Sequence, residues 1–388
     1  MTSCMRSIAR VAALVTLASV AASAQSLDDS QLRIAPQFLQ YRLRDPVSAT
    51  VSQFAVPLFV VMPVNERLTI DVGTSLARSR VTWEGGESQI TGLTDTQVRG
   101  NYTLGNDFVV LTAGLNLPTG RSSVTLDQFR AAGLIANDFL AFPISSMGTG
   151  LAITLGAAVA RPVGNWNIGF GGAIRRSGSY EPFDIPDQSL RFQPGNEYRA
   201  RVGVDRPVGA GRVAFGLTFS AFGKDDAGGS VYNTGNRVIA QAAYTTVVAD
   251  KPVTVAGYNM FRGPGSYASG DPAGRENLVN VFTSITLDAG GRSVEPTLEL
   301  RHWHQNVIGT TTATTTTPDR TQSSFLSTFG VRTNVDYAGV RFFPSLGYTV
   351  GSLATSDAAS APAKAGLTGF RAQIAAQLAA AALFGSDR

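Results

Sequence analysis

The chain has 388 residues, a formal net charge of +4 and only 15% charged residues, against roughly 25% in ordinary globular proteins. This near-neutral balance gives no reason to expect a nucleic-acid partner, and lysine occurs only at Lys224, Lys251 and Lys364, which is unlike a soluble surface. Cys4, the single cysteine, lies within the N-terminal segment that we predict to be removed on export, so the mature chain is expected to have no disulfide and no cysteine-based site. No run of about 18 apolar residues exists, which excludes a transmembrane helix.

The N-terminal segment has the pattern of an export signal. Arg6 and Arg10 precede an apolar run from Val11 to Ala22, and an A-x-A cleavage pattern follows. We therefore predict a signal peptide over residues 1–24 and one domain over residues 25–388. A cytosolic N-terminal helix is the alternative for this segment.

Downstream of the signal, apolar residues alternate with small or polar ones. In the run from Val213 to Phe222, Phe215, Leu217 and Phe219 share one face, because side chains alternate across a strand. Similar runs recur along most of the chain, with lengths of about 10–14 residues, whereas strands of soluble proteins average ~5–6. Strands that cross the hydrocarbon at a tilt take roughly 9–11 residues, so the pattern favours membrane-spanning strands.

The links between these runs alternate in length. Short links are predicted at Pro63 to Arg67, Leu104 to Asp107, Pro162 to Asn165, Pro207 to Gly211, Ala249 to Pro252, Asp288 to Arg292 and Asp336 to Gly339. Long links are predicted at Arg121 to Ser146, Glu181 to Gly195, Asp225 to Asn236, Arg262 to Asn277 and Gly309 to Gln322. Short turns at one end and long loops at the other are typical of a transmembrane, antiparallel, up-and-down β-barrel.

We count sixteen strands, from Leu32–Leu43 to Leu367–Phe384, with fourteen as the alternative. The last run is rich in alanine and also fits a helix. A strand is favoured because a closed barrel needs a partner for its first strand. An even number places both termini on the periplasmic side. Aromatic residues near strand ends, including Trp166, Tyr198 and Trp303, are expected to form interface girdles.

Charged residues recur on the polar face of the predicted strands. The lumen-lining set consists of Arg99, Arg175, Arg199, Arg201, Arg301, Arg332, Arg341, Asp95 and Glu299, with Asp71, Asp205 and Arg371 beside them. One interpretation is a charged constriction that prefers anions. The other is a network of ion pairs that stiffens the barrel wall.

The longest predicted link contains an amphipathic segment, Thr125 to Phe142. Its apolar residues Leu126, Phe129 and Leu134 need burial. The segment therefore either folds into the barrel mouth as a constriction loop or rests on the rim as a helix.

The two histidines, His302 and His304, share one face of a predicted strand. Two imidazoles without a third ligand are a weak metal signal, so we expect no metal site and no cofactor. The same residues are the only bases for a barrel hydrolase, and no G-x-S-x-G motif surrounds any serine. A hydrolase and a structural or adhesive barrel remain the alternatives to a pore.

The stretch from Gly92 to Gly120 resembles the outer-membrane barrel family linked to the meta-pathway of phenol degradation. The resemblance is carried by Gly92, Asp95 and the run Leu117, Pro118, Thr119 and Gly120. It covers about thirty residues and implies fold and location, with passage of hydrophobic compounds as the family's expected role. We therefore expect a pore or transporter for small hydrophobic or anionic solutes, in contact with lipid in the outer membrane of a diderm bacterium. The oligomeric state is left open.

Overall fold

The computed structural model describes residues 30–187, 189–267, 274–308, 319–355 and 363–379. The predicted signal peptide lies outside these ranges. Within them, the backbone is almost entirely extended, and strand pairing is antiparallel throughout the main sheet. The main sheet closes on itself as a 16-stranded barrel. The predicted count of sixteen strands is therefore confirmed, and the alternative count of fourteen is wrong.

The elements run in chain order as follows. The first half contains β1 (Gln31–Ile34), β2 (Gln37–Arg44), β3 (Ala49–Pro63), β4 (Leu68–Trp83), β5 (Gly86–Leu93), β6 (Thr96–Leu104), α1 (Gly105–Phe108), β7 (Val109–Leu117), a 3-10 turn (Leu126–Gln128), α2 (Phe129–Ile135), β8 (Ala152–Val163), β9 (Trp166–Ser177), β10 (Phe192–Gln193) and β11 (Glu197–Val208). The second half contains β12 (Gly211–Phe222), β13 (Asp225–Ala227), β14 (Ser230–Tyr232), β15 (Arg237–Val248), β16 (Lys251–Arg262), β17 (Glu276–Ile285), β18 (Leu287–Asp288), β19 (Ser293–Val307), β20 (Arg320–Thr333), β21 (Val335–Tyr337), β22 (Val340–Thr355) and β23 (Ala363–Ala379).

Four barrel strands are interrupted and appear as the segment pairs β1/β2, β5/β6, β17/β18 and β20/β21. The barrel closes where β23 pairs with β1 and β2, with Gln31 opposite Ala379 and Tyr41 opposite Gly369. The alanine-rich C-terminal run is therefore a strand over Ala363–Ala379, as predicted, and the rest of that run lies outside the described residues. Closure satisfies the edge groups that both end strands would otherwise expose.

All seven predicted short links are present at one end of the barrel, which we call the turn end. Several are two-residue hairpins with positive φ, such as Gly209 (58°) and Asp250 (62°), as the twist of tight hairpins requires. The opposite end, the loop end, carries the long links and also two short connections, at 45–48 and 84–85, that the sequence did not single out. Short turns are periplasmic and long loops external in barrels of this type.

The register divides each strand into an outward and an inward face. Phe215 pairs with Val204, and Val204 pairs with Ile168, so the apolar face of β12 continues around the outside of the barrel. Phe215 and Phe170 are 50% and 58% exposed, as expected for side chains that meet lipid. The protein is an outer-membrane β-barrel, because a closed barrel with an apolar outer band is the form in which strands span that membrane.

No helix in the described part of the chain combines the length and the hydrophobicity needed to cross a bilayer.

One of the aromatic residues predicted to lie in an interface girdle faces the interior of the barrel instead. Trp303 faces inward, since its register partners Leu278 and Ser324 do, and its ring lies 6.5 Å from that of Phe139. The prediction was wrong there because Trp303 alternates with His302 and His304, and a short run rich in aromatic and polar residues does not reveal which set faces lipid.

Candidate functional site

The long link between β7 and β8 lies inside the barrel at the loop end. We call residues 118–151 the plug loop. Helix α2 and the chain that follows it bury Ala131, Ile135, Phe139 and Leu140, each 1% exposed or less. These side chains form one apolar cluster with inward residues that come mostly from β2 to β5 and β23, namely Leu39, Tyr41, Leu43, Val51, Ala77, Val81, Ile90 and Leu367. Near the loop end the cluster also takes in Met260, Leu278, Leu326 and Leu353 of β16, β17, β20 and β22.

Polar side chains of the near wall fasten the plug loop by hydrogen bonds to its backbone. Tyr41 Oη donates to the Leu140 carbonyl (3.1 Å). Gln53 Nε2 donates to the Ile144 carbonyl (2.7 Å), while Ile144 N–H donates to Gln53 Oε1 (2.8 Å). Ser88 Oγ donates to the Asp127 carbonyl (2.6 Å), which adds a third attachment. Buried backbone groups of a loop need such partners, so these side chains make the inward position of the loop possible.

The plug loop also reaches the opposite wall. Arg301 Nη1 donates to the Phe139 carbonyl (2.7 Å), and Arg262 Nη2 lies 3.2 Å from Asp138 Oδ2. Arg301 is itself paired with Glu299, which also accepts from Asn280 Nδ2 at 2.5 Å. The loop is therefore attached to β2, β3 and β5 on one side and to β16 and β19 on the other, and it crosses the lumen between them.

Asp95 holds both ends of the plug loop together. Its carboxylate accepts from Gly120 N–H (3.0 Å), Thr149 N–H (2.7 Å) and Asn116 Nδ2 (2.9 Å). A Cβ at Gly120 would collide with the Met147 carbonyl and the Asp95 amide, so this close approach requires glycine. The residues that carried the family resemblance therefore form the base of the plug loop in this barrel.

Of the three apolar residues that the sequence predicted to need burial in this loop, only Leu134 packs against the interior. Leu134 packs against the buried cluster, whereas Leu126 and Phe129 are 68% and 56% exposed. Phe129 instead contacts Phe183 of the next external loop, with ring centroids 5.8 Å apart. The residues that fill the interior are Ile135, Phe139 and Leu140, which lie further along the same segment.

The predicted charged residues lie at inward register positions, except Asp95, which lies in the break between β5 and β6. Five of the arginines have acidic partners: Arg99 with Asp71 (2.7 Å), Arg199 with Glu197 (2.7 Å), Arg341 with Asp336 (2.8 Å), Arg301 with Glu299 and Arg332 with Glu295. Arg175 and Arg201 form no ion pair in the part of the chain that the structure describes. Both face the lumen on neighbouring strands, Arg175 opposite Glu197 and Arg201 opposite Gly171.

The wall from β7 to β17 is lined mainly by small inward residues. They include Ala158, Gly169, Gly171, Gly203, Ala214, Gly216, Ala243 and Ala256. A cavity of about 710 Å³ lies along this wall, with Arg201, Gln241, Tyr258 and Asn280 among its polar lining residues. We call this region the open wall, in contrast to the packed sector of β2 to β5 and β23.

A second cavity, of about 540 Å³, lies near the turn end on the other side of the lumen. Its lining is polar and includes Arg33, Glu295, Arg332, Gln373 and Gln377. The inward positions beneath the plug loop therefore carry polar side chains and do not continue the apolar cluster.

The two histidines face outward near the loop end of β19. His302 is paired in register with Val279 and Phe325, and His304 Nε2 lies 3.1 Å from Asn306 Oδ1. Among the described residues, no group of three or more His, Cys, Asp or Glu side chains is placed to hold a metal ion. Neither histidine lines the lumen. His304 lies opposite Ser323 on the outer face, but among the described residues no hydrogen bond joins either histidine to a serine or an aspartate.

Two external loops join in a small sheet above the barrel. Strands β10, β13 and β14 pair there. The ring of Phe192 meets Tyr180 edge to face, with centroids 5.6 Å apart, and stacks on Tyr232 at 6.0 Å. Burial, followed by the negative charge of Asp225, raises the pKa of Tyr232 to about 12. This sheet contacts the base of the plug loop through Val124, whose N–H donates to the Pro182 carbonyl (3.0 Å).

No protein-family model matches the chain, and no curated protein matches it. The relation to the phenol-degradation family therefore stays a prediction. Solved barrels are similar in fold. A loop-deletion mutant of OmpT, an outer membrane protein of Vibrio cholerae, is 11% identical over 89% of this chain and 98% of that one, with a TM-score of 0.42.

Two further barrels give similar values. An outer membrane channel from Pseudomonas putida F1 is 13% identical over 89% of this chain and 94% of its own, with a TM-score of 0.35. OccK1 (OpdK) of Pseudomonas aeruginosa is 9% identical over 91% and 99%, with a TM-score of 0.43. Likenesses of this size give no information on the function of this chain.

Proposed function

We propose that the protein is a passive outer-membrane pore for small polar solutes, with the plug loop as its constriction. The observation that carries the proposal is the asymmetry of the lumen. The plug loop fills the packed sector, while the small side chains of the open wall leave a cavity of about 710 Å³ beside it. A barrel of this size without an inserted segment is wide enough for an aqueous channel, so a loop across the lumen narrows the passage without needing to close it.

The charge on the open wall supports a preference for anions. Arg175 and Arg201 lie there without acidic partners, whereas the other predicted arginines are balanced by carboxylates. An unbalanced cation in a narrow passage concentrates anions and repels cations. Small carboxylates or phosphates fit this lining better than the hydrophobic compounds that the family resemblance implied.

The test is a recording from the refolded full-length mature chain in a planar lipid bilayer. We expect discrete conductance steps and, across a salt gradient, a reversal potential of the sign that anion selectivity produces. A folded, inserted barrel that gives no steps would overturn the pore and favour a structural or adhesive role. Conductance steps with cation selectivity would support the proposed pore but contradict its proposed preference for anions.

No observation favours the hydrolase alternative. His302 and His304 face outward, and their register partners include Val279, Phe325 and Ser323. We therefore propose that neither histidine takes part in catalysis. The double substitution His302→Ala/His304→Ala should leave conductance unchanged.

A further inference from the structure

The outward face of the packed sector changes character towards the loop end. On β2 the outward residues run from Phe38 through Gln40 to Arg42 and Arg44, and on β4 they run from Leu76 to Arg78 and Arg80. Lys364 is outward on the adjoining β23. We call Arg42, Arg44, Arg78, Arg80 and Lys364 the outer basic patch. All five are exposed.

The pairing register brings these residues onto one area of four adjacent strands. Arg42 pairs with Thr50 of β3 and Thr368 of β23, and Arg44 pairs with Gly366 of β23. On the other side of β3, Arg80 pairs with Ser52 and Arg78 pairs with Phe54. Adjacent strands are about 4.8 Å apart and alternate residues about 6.7 Å apart, so Arg42 and Arg44 are near neighbours, while the whole patch runs diagonally over about 14 Å across the strands and about 27 Å along them, from Arg78 to Lys364.

Not all of this charge is neutralised within the protein. Arg80 is paired with Glu87, Arg78 donates to Gln89 Oε1 (2.8 Å), and Lys364 Nζ donates to Ser323 Oγ (3.0 Å). Arg42 and Arg44 have no side-chain partner in the described part of the chain. Both line a cavity of about 350 Å³ on this surface, together with Ser48, Thr50 and Thr82.

The order of charges along the strands is directional. The cations follow directly on the apolar band. Of the acidic residues nearby, Glu87 lies on β5 and is paired with Arg80, while Asp45 and Glu84 lie in the turns beyond the strand ends, further from the hydrocarbon. Elsewhere at the loop end, the outward strand positions of the described chain carry one arginine, Arg176 of β9. The basic band is therefore confined to one sector rather than spread around the rim.

We propose that the outer basic patch binds the phosphate groups of a phosphorylated glycolipid in the external leaflet. The apolar residues Phe38 and Phe54, which are level with Arg78, contact acyl chains, and the guanidinium groups towards the loop end meet the headgroup phosphates in the bidentate geometry that arginine provides. The proposal depends on the external position of the loop end and not on whether the barrel conducts. The bound lipid would lie on the outside of the packed sector, whose interior side holds the buried apolar cluster.

The test compares two ligands and two variants of the full-length refolded chain in a neutral detergent. Binding of bisphosphorylated lipid A and of its enzymatically dephosphorylated form is measured by thermophoresis. We expect the phosphorylated form to bind more tightly, and Arg42→Gln/Arg44→Gln to lower that affinity about tenfold. Arg176→Gln, an outward arginine outside the patch, is the matched control and should change the affinity less than twofold.

Further arms separate the possible sources of binding. Inorganic phosphate at millimolar concentration should compete weakly, because it lacks the acyl chains; full competition would show a free-phosphate site and overturn the lipid assignment. Arg42→Lys/Arg44→Lys keeps the charge and should recover part of the affinity, which guards against a folding defect in the glutamine variant. Equal affinity for both forms of lipid A, or an unchanged affinity in Arg42→Gln/Arg44→Gln, would also overturn the proposal. Bilayer conductance should be unaffected in all of these variants.

Discussion

The packed sector and the open wall are built from the same kind of strand, yet one holds a loop and the other holds a cavity. Both satisfy their backbone groups by the same antiparallel pairing. They differ in the size of the inward side chains, which are Leu39, Tyr41 and Val51 in the packed sector and Gly169, Gly203 and Gly216 in the open wall. Strand pairing therefore determines the barrel, while the volume of the inward side chains determines where the lumen is filled.

The two regions also treat polar groups differently. In the packed sector, Gln53 is fully buried, and both its amide nitrogen and its amide oxygen form hydrogen bonds with the backbone of Ile144 in the plug loop. On the open wall, Gln241 lines the cavity. A buried amide without partners costs about 1–3 kcal/mol, so Gln53 both requires and specifies the loop. The open wall carries no such requirement, because water can satisfy its polar side chains.

Removing the plug loop tests the comparison most directly. Replacing residues 122–145 by a short glycine–serine linker should raise single-channel conductance about threefold, because the lumen loses its narrowest part. Planar bilayer recordings check the result, and heat-modifiable migration on gels confirms that the variant is folded. An unchanged conductance would show that the loop does not limit the passage.

Filling the open wall should have the opposite effect. Gly203 faces the lumen, and a Cβ there would meet only the Phe215 carbonyl at 3.7 Å. Gly203→Phe should therefore lower the conductance about twofold, since a large side chain enters the passage. Gly203→Ala is the conservative control and should leave the conductance close to that of the wild type.

Introducing a phenylalanine into the packed sector should instead lower the stability of the protein. Ala77 is 1% exposed beneath the plug loop. Ala77→Phe should lower the free energy of unfolding by about 1–3 kcal/mol through overpacking. Urea unfolding in detergent, followed by tryptophan fluorescence, measures this change; equal stability of the Phe variants at 77 and 203 would erase the distinction between the two regions.

Loosening the base of the plug loop should have a smaller effect on conductance than deleting it. Asp95→Ala removes the acceptor of Gly120 N–H and Thr149 N–H, a loss of about 1.5–3 kcal/mol for hydrogen bonds to a charged group. We expect brief additional openings in bilayer recordings, as the loop ends separate. Asp71→Ala breaks an inward ion pair with exposed Arg99 and should not produce such openings. Their appearance in both variants would argue against a specific role of Asp95.

The smallest expected effect concerns selectivity on the open wall. Arg175 faces the lumen, and its neighbour Arg176 faces outward. Arg175→Gln should lower the anion-to-cation permeability ratio by about twofold or less, because one unpaired charge is lost from a wide, hydrated passage. Arg176→Gln removes the same charge from the outside and should leave the reversal potential unchanged. A shift in both variants would point to a general surface-charge effect.

Much of the barrel was predictable because its signals are local. The alternation in Val213–Phe222 and the turn at Pro207 to Gly211 lie within a few residues of each other, and together they determine a hairpin and its apolar face. The inward location of Glu299 and Arg301 followed from the same alternation. Trp303 was assigned incorrectly because girdle and interior positions have the same residue types, and only its contact with Phe139 separates them.

The contacts that define the candidate site join distant parts of the chain. Tyr41 meets Leu140 across 99 residues, and Arg301 meets Phe139 across 162. No local pattern shows which arginine will form an ion pair with a carboxylate. Arg199 and Arg201 look alike in the sequence, yet Arg199 is paired with Glu197, and Arg201 has no ion pair in the described chain.

The strands, their outward faces and the turn end follow from local sequence, since a period of two residues is a property of each strand alone. Only the folded barrel shows that the plug loop enters the lumen, which wall it fills and which charges it leaves unpaired. Those features depend on the volume and partners available after closure, when strands far apart in the chain first face one another across the lumen.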